Sequence, residues 1–306
     1  MARFVRFDSF GGPEVFRLVE GDIPTPGHNE VRVRVVVAGL NPVDYKLVSS
    51  PEALAAYGWQ VPSGNGNDFA GVVDGIGSGV TEFATGDRVY GGHRFFAQAD
   101  YLVAPASILH HVPDGLTLEQ AGSLDIAGRA ALASVAAVGV GPSDTVLVSA
   151  AAGGVGVLAA QLAKRAGAVV LGSAGDRNQD FLRELGIVPV LYGDGLRERV
   201  LAAAPGGITA VIDTHGRETL QLAVDLGVAP DRVNTIADRP FAAEHGFSGV
   251  GGQAATLAQL AELGEWIASG DIALPIDSVW PIERVVDAYR HLIDGRLRGK
   301  VVVVTS

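Results

Sequence analysis

The 306-residue sequence contains no cysteine. This absence excludes disulfides, thiolate zinc sites, iron–sulfur clusters and a cysteine nucleophile. Basic residues are also scarce, with 23 Lys and Arg against 34 Asp and Glu, a formal net charge of −11, and no basic run. We therefore expect no nucleic-acid partner.

Long apolar runs are absent as well. No segment approaches the ~18 consecutive apolar residues that cross a membrane, and the N-terminus lacks the apolar core of a signal peptide. A chain with 48% hydrophobic and 19% charged residues is typical of globular proteins, and 306 residues suffice for two modest domains. We expect a cytoplasmic protein with no membrane partner.

The stretch Asp144–Ala168 carries the clearest chemical signal. A short β-branched run, Thr145–Ser149, predicts a buried parallel strand, and a turn reading Ala151-x-Gly153-x-x-Gly156 follows it. The next residues have helical spacing. Strand, glycine turn and helix in this order are the context of a dinucleotide-binding loop, in which backbone N–H groups and the helix dipole hold a pyrophosphate. A tight turn without a ligand is the alternative.

The rest of the chain divides into two patterns. The first hundred residues predict many short strands, with residues 48–67 irregular and Ala97–Pro105 a single strand. Beyond Pro113, the pattern predicts one helix over Leu118–Ala137 and then strands that alternate with helices. This alternation is typical of an α/β fold with a doubly wound parallel sheet. We expect the closing strand, Lys300–Thr305, to fold with the first unit.

Several segments, in this order and spacing, carry a resemblance to a known family. They are Asn41-Pro42-Val43-Asp44, Asp68-x-Ala70-Gly71, Gly86-Asp87-Arg88-Val89, Ala150–Gly156 and Arg298–Val302. The chain resembles the zinc-independent quinone oxidoreductases of the medium-chain dehydrogenase/reductase superfamily. The resemblance implies a GroES-like β-rich catalytic domain at 1–115 and 270–306, an inserted Rossmann domain at 116–269, a cleft between them, and a homodimer.

The resemblance also bears on metal binding. Zinc-dependent relatives carry a Cys ligand, a Gly-His-Glu turn and a four-cysteine lobe, whereas this chain has Asn41–Lys46 and Gly66-Asn67-Asp68 at the first two places. Without thiolate or imidazole ligands a tetrahedral zinc site cannot be built. We expect no metal.

The expected cofactor depends on the residues at the end of the second Rossmann strand. An NAD site usually has a carboxylate there, whereas this chain reads Gly172-Ser173-Ala174-Gly175. Ser173, Arg177 and Asn178 offer donors for a 2′-phosphate, although Asp176 could approach a ribose. We expect NADP(H). With the positions implied by the resemblance, the predicted cofactor-binding residues are Ala151, Gly153, Gly154, Val155, Gly156, Ser173, Arg177, Asn178, Tyr192, Thr214, Ile236 and Lys300.

The predicted catalytic residues are Asn41, Asp44, Tyr45 and Lys46. Hydride transfer to a quinone or enone needs a donor for the oxygen that gains charge, and an amide, phenol or ammonium can supply it. Packing, a surface lysine and an Asx turn before Pro42 are the alternatives. We also predict an apolar aromatic wall, formed by Tyr57, Trp59, Phe95, Phe96 and Phe247.

These features predict an NADPH-dependent reductase of quinones or α,β-unsaturated carbonyl compounds. An enoyl or 2-alkenal double-bond reductase on the same fold is the first alternative. A cofactor-binding sensor or structural protein without turnover is the second, and it stays open because Ala130 stands where many relatives have a cofactor-contacting threonine.

Overall fold

The computed structural model describes residues 1–305, and its first third is rich in strands. One three-stranded sheet has the order β2-β1-β4, and β3 is the centre of a second, larger sheet that contains β5 to β8. Two short helices follow β3. The elements are β1 Ala2–Phe7, β2 Arg17–Gly21, β3 Glu30–Gly39, α1 Pro42–Val48, α2 Pro51–Ala55, β4 Ser63–Gly64, β5 Asp68–Ile76, β6 Arg88–Gly92, β7 Tyr101–Pro105 and β8 Leu109–His111.

A parallel sheet of five strands forms the middle of the chain. Its order is β11-β10-β9-β12-β13, and this arrangement confirms the predicted α/β class with a doubly wound sheet. The elements are α3 Leu118–Ala121, α4 Asp125–Ala137, β9 Thr145–Val148, α5 Gly154–Arg165, β10 Val169–Ala174, α6 Gln179–Glu184, β11 Val188–Leu191, α7 Leu196–Ala203, β12 Ala210–Asp213, α8 Arg217–Asp225, β13 Val233–Thr235, α9 Arg239–His245 and α10 Leu257–Ala268.

Helices cover both faces of this sheet. Along β9, Val146 and Val148 belong to one apolar core and Leu147 to another, because successive strand residues point to opposite faces. A strand that is buried on both sides must be apolar throughout, which explains the unbroken run that marks β9 in the sequence.

The end of the chain returns to the first unit. It forms β14 at Ile276–Pro281, α11 at Val285–Asp294 and β15 at Lys300–Val304. Strand β15 pairs antiparallel with β3, and β14 pairs with β15, so that the larger sheet has seven strands. The pairing places the start of β15 beside the loop that follows β9, where Gly299 N donates to Ala152 O at 2.7 Å.

The prediction of one helix over Leu118–Ala137 is wrong, because the structure breaks it between α3 and α4. Gly122 lies against the backbone of β3 and β5, where an added Cβ would be 2.9 Å from Val37 O and 3.0 Å from Ala70 N. The break lets α4 begin at Asp125, and Ile126 N donates to Asp68 Oδ1 at 3.1 Å.

Other differences concern short elements. The region predicted to be irregular contains α2, which Ser50 caps through a bond from Ala53 N, and the sequence pattern missed α9 as well. Helices of five to seven residues bury too few side chains to show a period of 3.6. The strand predicted over Ala97–Pro105 begins only at Tyr101.

We predict that Gly156→Ala destabilises the protein by about 1–3 kcal/mol, the usual cost of overpacking. The added Cβ would lie 2.2 Å from the carbonyl oxygen of Ala150, a backbone atom that cannot move aside without displacing the loop. Urea unfolding followed by far-UV circular dichroism measures the change. Gly206→Ala is the matched control, because no atom of the described chain lies within 4 Å of its added Cβ. Equal stabilities for the two variants would contradict the expected clash.

Candidate active site

The predicted cofactor loop connects β9 to the N-terminus of α5. Gly153 is the N-cap of this 12-residue helix, and among residues 1–305 no side chain caps it. Ala151 N donates to Ser173 O at 2.9 Å, which brings the end of β10 beside the loop. A long helix with an uncapped N-terminus, at the carboxyl edge of a parallel sheet, fits the pyrophosphate of a dinucleotide.

The predicted 2′-phosphate corner lies beyond β10. An added Cβ at Gly175 would be 3.4 Å from Tyr192 Oη, so the Tyr192 hydroxyl lies at this corner. Arg177 is exposed there, with Nη2 at 3.6 Å from Asp277 Oδ1. Ser173 is buried in β10.

Asn178 has other partners in the structure. Its Oδ1 accepts from Arg298 Nε at 3.1 Å, and its Nδ2 donates to Leu297 O at 3.2 Å. The amide therefore binds the segment before β15, and this contact brings the guanidinium of Arg298 close to the same corner. In the sequence, Arg298 stands out only as part of the motif Arg298–Val302.

Thr214 and Ile236 lie at the carboxyl ends of β12 and β13. The carboxylate of Asp213 accepts hydrogen bonds from Ser149 Oγ at 2.7 Å and Thr235 Oγ1 at 2.6 Å. Thr214 Oγ1 donates to Ser149 O at 2.7 Å, and Ile236 N donates to Asp213 O at 3.1 Å. These bonds hold three strand ends together on the side of the sheet where the cofactor loop lies.

Lys300 joins the cofactor loop to the segment after β3. Its side chain is 4% exposed, and its Cδ lies against the backbone of Gly154. Its Nζ donates to Leu40 O at 3.0 Å and to Asn41 Oδ1, and lies 3.8 Å from Asp68 Oδ2. Burial lowers the pKa of Lys300, while the nearby carboxylates oppose that change.

Asn41 and Asp44 are buried in the same polar network. Asn41 Nδ2 donates to Asp68 Oδ2 at 3.0 Å, and Asn41 N donates to Asp44 Oδ2 at 2.9 Å. Tyr289 Oη donates to Asp44 Oδ2 at 3.2 Å. Burial raises the pKa of Asp44 to about 7, and the charge of Asp68 adds to the effect.

Tyr289 connects this network to the core behind it. The Oη of Tyr289 accepts from Asn65 Nδ2 at 2.9 Å and from Gln98 Nε2 at 2.6 Å. Because the phenolic oxygen of Tyr289 accepts two hydrogen bonds, its own O–H group is directed toward Asp44. The sequence does not reveal this contact, because Tyr289 lies on α11, far along the chain from β3.

A second branch of the network reaches α4. Asn67 Nδ2 donates to Asp68 Oδ1 at 2.9 Å and to Asp125 Oδ2 at 3.0 Å. Burial raises the pKa of Asp125 to about 6, Asp68 adds to the effect, and Arg129 opposes it. Asn67 and Asp68 belong to the segment Gly66-Asn67-Asp68, which stands where zinc-dependent relatives carry a Gly-His-Glu turn. This correspondence is the sequence feature that points to the two residues.

The other two predicted catalytic residues differ in exposure. Tyr45 is half-buried, its ring lies 6.4 Å from that of Tyr289, and burial raises its pKa. Lys46 is exposed on α1. The structure therefore brings Asn41 and Asp44 together, places Tyr45 beside them, and leaves Lys46 at the surface.

Most of the predicted aromatic wall is also assembled. Trp59 stacks on Phe95 with ring centroids 4.8 Å apart, and it meets the edge of Phe96 at 5.9 Å. Tyr57 lies beneath the guanidinium of Arg94. Phe247 is elsewhere, because it packs in the apolar core on one face of the parallel sheet.

The donor set does not fit a zinc ion. Two amides, two carboxylates and an ammonium meet where zinc-dependent relatives carry their ligands, and thiolate or imidazole groups are not among them. Within residues 1–305, no group of three or more His, Asp or Glu side chains could hold a metal ion. In the same part of the chain, no helix has both the length and the apolar character needed to cross a membrane.

We predict that Asp44→Asn removes part of the pH dependence of stability. The folded state raises the pKa of Asp44 to about 7, so this carboxyl stabilises the fold fully below its unfolded pKa of about 4 and loses that contribution as pH rises through 7. Between pH 5 and pH 8, the unfolding free energy of the native protein should fall by about 2 kcal/mol more than that of the variant.

Urea unfolding at several pH values measures this difference. Asp22→Asn, at an exposed position after β2, should keep the native pH dependence. Parallel pH profiles for the native protein and Asp44→Asn would exclude a raised pKa at Asp44.

Comparisons with known proteins agree with this architecture. Residues 27–114 match the alcohol dehydrogenase GroES-like domain, and residues 185–303 match a family described as zinc-binding dehydrogenase. A quinone oxidoreductase of Pseudomonas aeruginosa is 34% identical over 75% of this chain and 71% of its own. The structure of the quinone oxidoreductase from Coxiella burnetii superposes with a TM-score of 0.87 at 30% identity, covering 100% of this chain and 99% of the other.

A mycobacterial protein whose structure was determined in complex with NADPH superposes with a TM-score of 0.84 at 26% identity, covering 99% of this chain and 100% of the other. The GroES-like unit, the parallel sheet with its glycine turn, and the full-length likeness to quinone oxidoreductases lead to one conclusion. The chain is an oxidoreductase of the quinone oxidoreductase family, within the medium-chain dehydrogenase/reductase superfamily.

Proposed function

We propose that this protein reduces quinones or α,β-unsaturated carbonyl compounds by direct hydride transfer from NADPH, without a metal. The observation that carries the proposal is the position of Lys300, which lies against the cofactor loop at Gly154 and bonds to Asn41 across the cleft. Lys300 therefore holds the loop that would bind the hydride donor next to the polar segment after β3.

The bound nicotinamide supplies the hydride, and the protein supplies position and polarity. The turn at Gly153 and the N-terminus of α5 bind the pyrophosphate. One Nδ2–H of Asn41 donates a hydrogen bond to Asp68, and Asn41 Oδ1 accepts one from Lys300. The amide is therefore held in one orientation. The remaining Nδ2 proton of Asn41 is directed at the oxygen that gains charge as the acceptor is reduced.

A reduced quinone or enone also takes up a proton. Asp44 holds a proton near neutral pH inside the network, because burial raises its pKa to about 7. We propose that Asp44 is the proton reservoir of the site, with Tyr289 orienting its carboxyl group. Trp59 and Phe95 provide a flat apolar surface for the acceptor.

We propose NADPH as the preferred cofactor because the corner after β10 offers donors and a cation. The residues at this corner are Tyr192, Arg177 and Arg298. The guanidinium of Arg177 is 3.6 Å from Asp277 Oδ1, beyond hydrogen-bond distance, so its side chain is free to turn toward a phosphate. The mycobacterial relative binds NADPH. We further propose a cytoplasmic homodimer, with the domain boundaries at 115/116 and 269/270, as the family implies.

Cofactor preference is tested by the ratio of kcat/KM for NADPH to that for NADH. We expect NADPH to be preferred at least ~10-fold, since each charge-assisted bond to the 2′-phosphate is worth about 1.5–3 kcal/mol. Arg177→Gln should lower kcat/KM for NADPH by about 10-fold and leave NADH unchanged. Arg183→Gln is the control, because Arg183 is exposed on α6 and pairs with Asp180. A clear preference for NADH would overturn the proposal.

The acceptor is tested with a panel that includes para-benzoquinone, crotonaldehyde and conjugated methyl ketones, each with NADPH. We expect turnover of the quinone, and Asn41→Ala should lower kcat by about 100-fold, the usual effect of removing an oxyanion donor. Turnover of enones alone would favour the double-bond reductase. A change in NADPH fluorescence without turnover of any acceptor would favour the sensor.

A further inference from the structure

The loop between β6 and β7 contains a strained residue. Phe95 has a φ of +73°, a left-handed conformation that is rare for a bulky side chain. Its N–H donates to Gly66 O at 2.7 Å, and its ring stacks on Trp59 at 4.8 Å. Such strain persists where the surrounding structure holds the residue, and it clusters at functional sites. The fixed turn positions the preceding residue, Arg94.

Arg94 is directed inward and lacks a partner. Its guanidinium Cζ lies 4.8 Å from the centroid of the Tyr57 ring, and its Nη1 is buried without a hydrogen-bond acceptor in the described chain. Burying a charged N–H group without a hydrogen-bond acceptor is unfavourable. The unpaired Nη1–H of Arg94 therefore indicates that a bound group, and not the protein, supplies its acceptor.

Arg129, on α4, shows the same feature. Its Nε is buried, and residues 1–305 provide no acceptor for it. Its Nη1 lies 3.8 Å from Asp125 Oδ1, beyond hydrogen-bond distance. Arg94 and Arg129 both lower the pKa of Asp125, so the two guanidiniums lie near the same carboxylate.

The end of β6 explains this proximity. An added Cβ at Gly92 would lie 2.2 Å from Asp125 Oδ2, so the loop that carries Arg94 begins in contact with α4. The nearby carboxyl groups accept hydrogen bonds from other residues: Asp68 from Asn41, Asn67 and Ile126, Asp44 from Asn41 N and Tyr289, and Asp125 Oδ2 from Asn67. The remaining oxygen, Asp125 Oδ1, lies 3.8 Å from Arg129 Nη1. The buried Nη1–H of Arg94 and Nε–H of Arg129 are therefore left without an acceptor from the described chain. Each side chain as a whole is only partly buried, so a ligand can approach it from its exposed side.

We propose that Arg94 and Arg129 form an anion-binding subsite that takes the carboxylate of the acceptor, so that the substrate is a quinone or enone acid. The inference rests on the proposed function, which it narrows to a substrate class. A carboxylate presents two oxygens and a negative charge to guanidinium donors, whereas a neutral carbonyl oxygen accepts hydrogen bonds but brings no charge to balance the two arginines. The stack of Trp59 and Phe95, next to Arg94, accommodates the apolar part of the same molecule.

The test compares acetylacrylate with its methyl ester, a pair of enones that differ only in the anionic group. For Arg94→Gln and for Arg129→Gln we expect kcat/KM with acetylacrylate to fall ~10-fold or more, mainly through KM, and kcat/KM with the ester to stay within about 2-fold. Arg94→Lys should recover part of the loss, since it keeps the charge without the fork. Arg17→Gln, at an exposed position on β2, should change neither.

A binding measurement makes the result independent of turnover. Levulinate, the saturated keto acid, is titrated by calorimetry into the protein loaded with NADP⁺. We expect saturable binding that Arg94→Gln weakens ~10-fold or more. Far-UV circular dichroism should show the native spectrum for Arg94→Gln, because the substitution removes a contact with the Tyr57 ring and no hydrogen bond of the buried Nη1.

Two outcomes would overturn the subsite. One is an equal loss of activity toward acid and ester, which would assign the arginines to the cofactor or the fold. The other is levulinate binding that is absent, or that neither substitution weakens. If the native protein reduces neither para-benzoquinone nor either enone but binds levulinate through Arg94, the reductase proposal fails and the anion subsite stands.

Discussion

The site depends on the contacts of one buried ammonium group, that of Lys300. Burial disfavours its charge, and the protein compensates with Leu40 O, the Asn41 amide and the carboxylate of Asp68. This arrangement is possible only because β15 pairs with β3, which brings Lys300 from the end of the chain to the end of β3. The same pairing brings Gly299 against the cofactor loop. One strand thus sets the distance between the glycine turn and the polar segment after β3.

Acidic and basic side chains lie together at this site, in equal number when Lys300 is counted. Three carboxylates, of Asp44, Asp68 and Asp125, face three cations, of Lys300, Arg94 and Arg129. Burial raises the pKa of Asp44 to about 7 and of Asp125 to about 6, so protons are exchanged there near neutral pH. A fully apolar cleft would be easier to fold. The polar network instead keeps hydrogen-bond donors and titratable carboxyl groups together at the proposed acceptor site, and two of its cations retain unpaired N–H groups.

Close backbone approach is the second constraint, and it explains the glycines at the site. Gly156 lies against Ala150 O, and Gly122 lies against β3 and β5, where any side chain would clash. Gly122 also ends α3, so that α4 starts with Asp125 at the network. These positions link the sequence composition to the site, because small residues let helices and strands approach closely enough to bring Asp125 to Asn67.

By itself, the sequence determined the α/β class, the parallel sheet, the glycine turn between β9 and α5, and the family, because these depend on local periodicity and on motifs of fixed spacing. It also singled out Asn41 and Asp44, which the structure joins in one buried polar network. It did not reveal Tyr289 as the partner of Asp44, the unpaired donors of Arg94 and Arg129, the amide of Asn178 bound to Leu297, or the break between α3 and α4. Those features were decided by the tertiary structure, because each depends on contacts between residues far apart in the chain that only the packing of the two sheets brings together.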